Sequence, residues 1–328
     1  MKEASILVIV EMTDGHPNNL AYEMLGRTRE LADQSGGTVL ACVLGCGLDG
    51  VGNHLITHGA DRAYLVDAGH LAEYQADAWL PDLVNVVRQA RPDAAMIGHT
   101  PLGADLAPRL AFRLGTTIAT SCINVSINDG KLLLTRPCYG GKANEVVSIV
   151  TSPAVFTVKP KSFAPRQPRD DRSGEIVRVD SVLDAANVRT KVREVRRAGG
   201  DDARLESANI VVAGGGGMKG PHGFEVVARL AELLGGAVGA SRVACDLGWC
   251  PPSYQVGLSG KTVAPELYVA IGISGAGQHM AGCANAKTIV AINTDPDAPI
   301  FKFATFGVIG DCHALMPALI EQIEARRR

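Results

Sequence analysis

A two-domain α/β fold built on parallel sheets is predicted by three features of this sequence: uncharged β-type runs without alternation, helical periodicity between them, and glycine-rich turns directly after strands. Residues 267–273 and 288–293 are the clearest such runs, patterned like strands buried on both faces of a sheet. Parallel strands need a crossover between them. Here it begins with Ser274, Gly275, Ala276 and Gly277, followed by Gln278 and His279. Small residues thus present backbone amides at the carboxyl end of a strand, where open α/β sheets bind phosphates and cofactor rings, and His279 sits at the mouth of that site. With 328 residues and 46% hydrophobic content, the chain can bury two cores of ordinary size.

The N-terminal part alternates β and α patterns. Residues 6–10, 38–44, 63–66 and 94–97 are short apolar strands, separated by helical periodicity over 20–32 and 72–90, which predicts a doubly wound, Rossmann-like sheet. Residues 102–114 make another helix. The pattern then changes to strands joined by turns, over 117–125, 131–135, 145–149 and 154–158, with Asn128-Asp129-Gly130 and Gly140-Gly141 between them. The N-terminal domain is therefore expected to end in β-hairpins. Proline and charge dominate 162–172, and 188–195 alternate like an edge strand with charged outward positions. Gly199, Gly200, Asp201 and Asp202 cannot build a packed interface, so the domains are expected at 1–198 and 205–328, with a linker over 199–204 and a hinge within 198–203.

A fresh α/β unit begins beyond the linker. Residues 208–213 form a strand, 214–220 a glycine loop, and 224–234 a helix with Val227, Leu230, Ala231 and Leu234 on one face. Gly215, Gly217 and Gly220 have the spacing and the strand–loop–helix context of a dinucleotide fingerprint, although a tight turn without a ligand accounts for the glycines as well. A nicotinamide dinucleotide site would also place a carboxylate about 20 residues on, at the end of the second strand. That position reads Ala237 to Arg242 and holds none, which argues against an NAD-dependent dehydrogenase. Other polar groups gather instead. Ser241 and Arg242 follow a short strand; Gln255, Val256, Gly257, Leu258 and Ser259 form a loop ending at Lys261; Asn293 and Asp311 each close an apolar run.

Composition narrows the class of partner. A formal charge of −2 and a pI near 6.4 give no basic surface for nucleic acid or an anionic membrane, and no apolar run reaches membrane-spanning length. Three arginines close the C-terminal helix, where positive charge favours the negative helix end. Met1 leads at once into a short strand without a signal-peptide core, so a soluble, cytoplasmic protein is expected. The eight cysteines form no CxxC pair, and the closest couples, Cys42 with Cys46 and Cys245 with Cys250, fit no zinc or iron–sulfur spacing. Reduced structural thiols are the expectation. His54 and His58 stand four apart without a neighbouring glutamate and read as an exposed helix face, so no metal is expected.

The second domain resembles the FAD-binding domain of the α subunit of electron transfer flavoproteins. The motifs that carry the likeness occur in order: GASR at 239–242, QVGLSGK at 255–261, APELY at 264–268, GISGAGQH at 272–279, IVAIN at 289–293 and APIF at 298–301. Residues 98–109 and 135–142 of the first domain are similar to α-subunit segments too, so the resemblance spans nearly the whole chain. It implies a heterodimer with a β subunit, with FAD in a cleft between the second domain and that partner and the first domain in contact with it. It also implies an electron carrier with no organic substrate of its own, taking electrons from a flavin dehydrogenase and passing them to a quinone oxidoreductase or another acceptor.

Carried over residue by residue, the resemblance assigns Arg242 to the flavin ring as a fixed cation, His279 to the N1/C2=O edge and the Ser259 hydroxyl to N5. Donors and cations placed there offset the negative charge that reduction deposits on the ring and raise its potential. Gln278 with the amides of Ser274, Gly275, Ala276 and Gly277 is implied to hold ring or phosphate oxygens, and the loop from Gln255 through Val256, Gly257 and Leu258 lines the site. Ser241, Asn293 and Asp311 are implied on the pyrophosphate, ribitol or adenosine side. The chain departs from the family at Gly216, where arginine is common, at Leu258, where glutamine is, at Gly277, where a branched aliphatic is, and at Ser259 in place of threonine. These changes predict weaker FAD retention or a shifted potential. Two alternatives share the same residues: an α subunit of an electron-bifurcating complex that oxidises NADH, and a nucleotide-binding or interaction protein that has lost flavin.

Overall fold

A computed structural model describes residues 3–139, 143–183, 188–190, 192–195, 205–206 and 208–327. The expected linker and hinge lie outside the described residues. The chain divides into two units, one of Met1–Cys138 with Asn144–Val195 and the other of Tyr139–Ala143 with Arg196–Arg328.

The first unit runs β1 (Ser5–Val10), a two-residue pair β2 (Met12–Thr13) and β3 (His16–Pro17), α1 (Asn19–Ser35), β4 (Thr38–Gly45), α2 (Val51–Thr57), β5 (Arg62–Asp67), α3 (Ala76–Ala90), β6 (Ala94–Gly98) and α4 (Pro101–Leu114). It continues through β7 (Ile118–Cys122), β8 (Asn124–Asn128), β9 (Lys131–Cys138), β10 (Ala143–Val147), β11 (Ala154–Val158) and β12 (Glu175–Arg178). Its main sheet has the order β12-β5-β4-β1-β6-β11-β7 with parallel pairings throughout. Alternate residues of β1 feed two cores: Ile6, Val8 and Val10 pack with Met24 and Leu25 of α1, while Leu7 and Ile9 pack with Leu83 of α3 and Leu106 and Leu110 of α4. Burial on both faces is why these strands read as uncharged runs. Helix ends follow local chemistry. The Asn18 carboxamide accepts the Ala21 N–H at 2.9 Å to start α1, and Thr100 accepts the Gly103 N–H at 3.0 Å to start α4.

Hairpin strands β8, β9 and β10 form a separate three-stranded sheet, with β8 antiparallel to β9. The chain does not stop there. β11 returns to the main sheet between β6 and β7, and β12 takes the opposite edge beside β5. The run predicted as one strand over 117–125 breaks into β7 and β8, and the helix predicted from 72 begins at Ala76. The edge strand predicted over 188–195 is a correction: the described residues there form no strand. The Arg189 N–H goes to the Asp77 carboxylate at 3.1 Å, and Thr190 Oγ1 donates to its other oxygen at 2.8 Å, so side-chain anchoring replaces a ladder.

The second unit contains β13 (Ile210–Gly214), α5 (Pro221–Leu234), β14 (Ala237–Ala240), α6 (Arg242–Asp246), β15 (Leu267–Ile271), α7 (Gly277–Met280), β16 (Thr288–Asn293), β17 (Phe306–Ile309) and α8 (Cys312–Arg327). The sheet order is β14-β13-β15-β16-β17, again with parallel pairings. After β13 the chain moves to one side for β14 and then crosses to the other for β15. The carboxyl ends of β13 and β15 are thus a topological switch point, where α/β sheets leave a crevice.

Candidate functional site

A cavity of about 640 Å³ lies in the second unit at that switch point, within the range of about 300–1,000 Å³ usual for small-molecule sites. Gly216 and Gly217 reach it from the end of β13, Ser241, Arg242 and Val243 from β14, Gly272, Ile273 and Ser274 from β15, and Asn293 and Asp295 from β16. Four strand ends and the loop 255–259 therefore converge on one space. The sheet can close this tightly because its turns are glycine. Gly272 has φ 61, and a Cβ there would stand 2.7 Å from the Gly217 Cα; Gly275 has φ 78, and a Cβ there would run into the Ile300 backbone.

Of the residues singled out in the sequence, the cavity wall takes Ser241, Arg242, Gln255, Val256, Gly257, Leu258, Ser259, Ser274, Ala276, Gln278, His279 and Asn293. Gly275 and Gly277 do not line it, but they shape the turn that does. Asp311 is not among the lining residues: its Oδ1 accepts the His313 N–H at 2.9 Å at the start of α8. Sequence reasoning did not single out Val243, Ile273, Asp295 or Ala298 as lining residues. For Asp295 a signal existed, since it follows Asn293 just past a buried strand. The apolar three carry no chemical signature.

Two wall atoms are buried without a partner. The Ser241 hydroxyl, at the N-cap of α6, caps nothing: its Oγ makes no hydrogen bond among the described residues, and Nδ1 of His279 is likewise unpartnered. Both residues are over nine-tenths buried, with relative exposures of 9% and 8%. A buried polar atom left unsatisfied costs about 1–3 kcal/mol, a cost that a bound polar group could remove. The other ring nitrogen of His279, Nε2, is 2.9 Å from the hydroxyl of fully buried Tyr268. Burial pushes the imidazole down to about 4; the Val256 backbone pulls the other way, without a well-formed bond to Nδ1. His279 is neutral at physiological pH. Burial also keeps the Tyr268 hydroxyl protonated far above its ordinary range, so it is available as a donor to Nε2 in the tautomer that carries its proton on Nδ1.

The remaining groups are held more loosely. The Arg242 side chain is 71% exposed and pairs with Asp246 at 3.2 Å, a surface contact worth about 0–1 kcal/mol and readily exchanged. Gln255 donates to the Ser259 hydroxyl at 2.9 Å, which pre-orients that hydroxyl on the wall. Asn293 braces the rim: its Nδ2 donates to the Ile273 carbonyl at 3.0 Å and its Oδ1 accepts the Asp295 N–H at 3.1 Å. The N–H groups of residues 274–278 make no backbone hydrogen bond among the described residues, leaving a row of donors beside the cavity. His54 and His58 belong to the first unit, where the His58 ring stacks 4.2 Å from Tyr22.

Comparison with known proteins gives this geometry a family. The electron transfer flavoprotein domain matches residues 6–183, and the electron transfer flavoprotein FAD-binding domain matches 204–284. The electron transfer flavoprotein subunit alpha of Thermoanaerobacterium thermosaccharolyticum is 41% identical over 322 residues, covering 97% of each chain. That of Bacillus subtilis is 40% identical over 320 residues, also 97% of each chain. Protein FixB of Clostridium saccharobutylicum is 37% identical over 320 residues, 97% of this chain and 95% of its own. The chain belongs to the electron transfer flavoprotein α-subunit family. The cavity lies in the unit that the family's FAD-binding domain matches, and the two orphaned polar atoms and the row of amides are groups a flavin nucleotide can satisfy. Among the described residues no helix is long and apolar enough to cross a membrane.

Proposed function

We propose that this chain pairs with a β subunit, holds FAD in the cavity of its second unit, and carries electrons from flavin dehydrogenases to a quinone oxidoreductase or another acceptor in the cytoplasm. The carrying observation is the pair of buried, unpartnered polar atoms, Ser241 Oγ and His279 Nδ1, on one wall of a switch-point cavity in a chain of this family. FAD, when bound, accepts and releases one or two electrons; the protein's part is to hold it and to set the electrostatics of its ring.

In the tautomer where Tyr268 donates to Nε2, His279 carries its own proton on Nδ1 and offers it to the N1/C2=O edge as a neutral donor; this is the tautomer the reading requires. Arg242 exchanges its exposed Asp246 contact for the ring and supplies the permanent charge. Ser259, fixed by Gln255, presents its hydroxyl towards N5. The amides of 274–277 with Gln278, and the free Ser241 hydroxyl, take ring or phosphate oxygens. Asn293 shapes the rim from its bonds to Ile273 and Asp295, and Asp295 adds an acceptor for ribose or ribitol hydroxyls. Asp311 is engaged in starting α8 and is assigned no cofactor role.

Co-expression with a β subunit followed by flavin analysis and anaerobic stepwise reduction tests this reading. One FAD released per heterodimer from this site, reducible by a dehydrogenase but not by NADH, is the expected result. Two flavins with bleaching by NADH alone would replace it with the bifurcating reading, and a colourless complex that rejects added FAD would overturn it.

A further inference from the structure

The segment between two walls of the cavity is a closed loop. It leaves the sheet after Ala240 and rejoins it at Gln255, where the two residues form a parallel bridge and the Val256 N–H donates to the Ala240 carbonyl at 2.9 Å. Inside this loop the chain reverses beyond α6: the Gly248 N–H donates to the Cys245 carbonyl at 2.9 Å and the Trp249 N–H to the Ala244 carbonyl at 3.1 Å, with Gly248 at φ 71. The reversal brings Cys245 and Cys250 face to face, with 3.6 Å between their sulfurs. Both are buried but keep a slight exposure, 8% and 9%, whereas Cys42, Cys122 and Cys283 keep none.

The contact is asymmetric. Either sulfur could donate to the other, but the Cys245 thiol donates to the Pro251 carbonyl at 3.6 Å, which leaves Cys250 to donate to the Cys245 sulfur; that bond holds Cys245 below the ordinary thiol range and pushes Cys250 up. Cys245 therefore loses its proton first, and the thiolate is the nucleophile in disulfide exchange. A disulfide needs the sulfurs about 2.05 Å apart, so the pair has about 1.5 Å left to close.

We propose that Cys245 and Cys250 are a redox-active dithiol that closes to an internal disulfide on meeting a low-molecular-weight disulfide. The Cys245 thiolate attacks one sulfur of the small disulfide, forming a mixed disulfide and releasing one small thiolate, which takes up the Cys245 proton. Cys250 then gives up its proton and attacks the Cys245 sulfur, displacing the second small thiol. Two electrons and two protons pass from the protein dithiol to the small disulfide, which leaves as two thiols. The bond formed ties the end of α6, behind Arg242, to the 3-10 turn leading to Gln255, so it cross-links the loop whose ends line the cavity. The proposal does not rest on the flavin reading.

The full-length native chain is incubated with oxidised glutathione, alkylated, cut with trypsin and weighed, with and without later dithiothreitol. Cleavage after Arg242 and Lys261 leaves both cysteines on one peptide, and exposed Cys46 on another reports that the reagent is active. The expected peptide is lighter by two hydrogens, resists alkylation, and recovers two alkylatable thiols after dithiothreitol. Full alkylation of both cysteines while Cys46 carries glutathione would overturn the proposal, as would a lasting glutathione adduct on either cysteine of the unaltered chain. In Cys250→Ser the resolving thiol is gone, and glutathione should accumulate on Cys245; an adduct-free Cys245 there would refute its role as the attacking sulfur.

Discussion

Acid should destabilise the second unit through His279, and the size of the effect follows from its burial. The imidazole titrates near 6.5 when unfolded and is pushed down to about 4 in the native state. Between those limits the unfolded chain binds the proton and the folded one does not, so stability is complete above the unfolded value and falls as pH descends towards the folded one. The full loss is about 3 kcal/mol, of which about 2 kcal/mol has gone by about pH 5. His279→Gln removes the titration. Trp249 is the tryptophan of the second unit, so urea unfolding followed by its fluorescence in a Trp79→Phe background isolates the right transition. Between about pH 7 and pH 5 the parent should lose about 2 kcal/mol more than His279→Gln. Equal losses in the two proteins would refute the reasoning, because they would show that no proton is excluded from this ring by folding.

Other perturbations probe the same wall. Gly216→Arg should tighten FAD binding roughly fivefold, since an added Cβ meets only Val243 Cγ1 at 3.7 Å and a charged hydrogen bond of about 1.5–3 kcal/mol is partly offset by side-chain ordering; an unchanged dissociation constant contradicts the weak-retention reading. Gly275→Ala, forced to φ 78 and into the Ile300 backbone, should cost the second unit at least about 1–3 kcal/mol in urea unfolding, whereas Gly216→Ala should be near neutral. Tyr268→Phe strips Nε2 of His279 of its partner, so it should cost about 1–3 kcal/mol and change the imidazole ¹⁵N shifts from one tautomer to a mixture.

The strands of both units were legible because burial on both faces leaves an unmistakable apolar run, and β11 and β16 fall at the predicted residues. Their order was less so. Residues 154–158 look alike whether they extend a hairpin or slot between β6 and β7, because strand pairing is a long-range choice that local pattern does not encode. The edge strand failed at 188–195 for a related reason: alternation was present, but the Asp77 carboxylate took the backbone donor that a ladder would have used. In the site, polar residues at strand ends announced themselves, and twelve of them or their loop neighbours line the cavity. Asp311 had the same signature and a different fate, since a carboxylate ahead of a helix serves equally well as its cap. What no sequence pattern revealed is that Ser241 leaves its own helix uncapped and that Cys245 meets Cys250, both products of a loop closing on itself.

The central claim is that the switch-point cavity of the second unit is the seat of FAD. Amide hydrogen exchange on the complex with its β subunit, with FAD removed and then restored, addresses it directly. The account predicts slowed exchange confined in this chain to residues 214–220, 240–243, 255–259, 272–279 and 293–295. Unchanged exchange in those segments, or protection centred in the first unit, would contradict it.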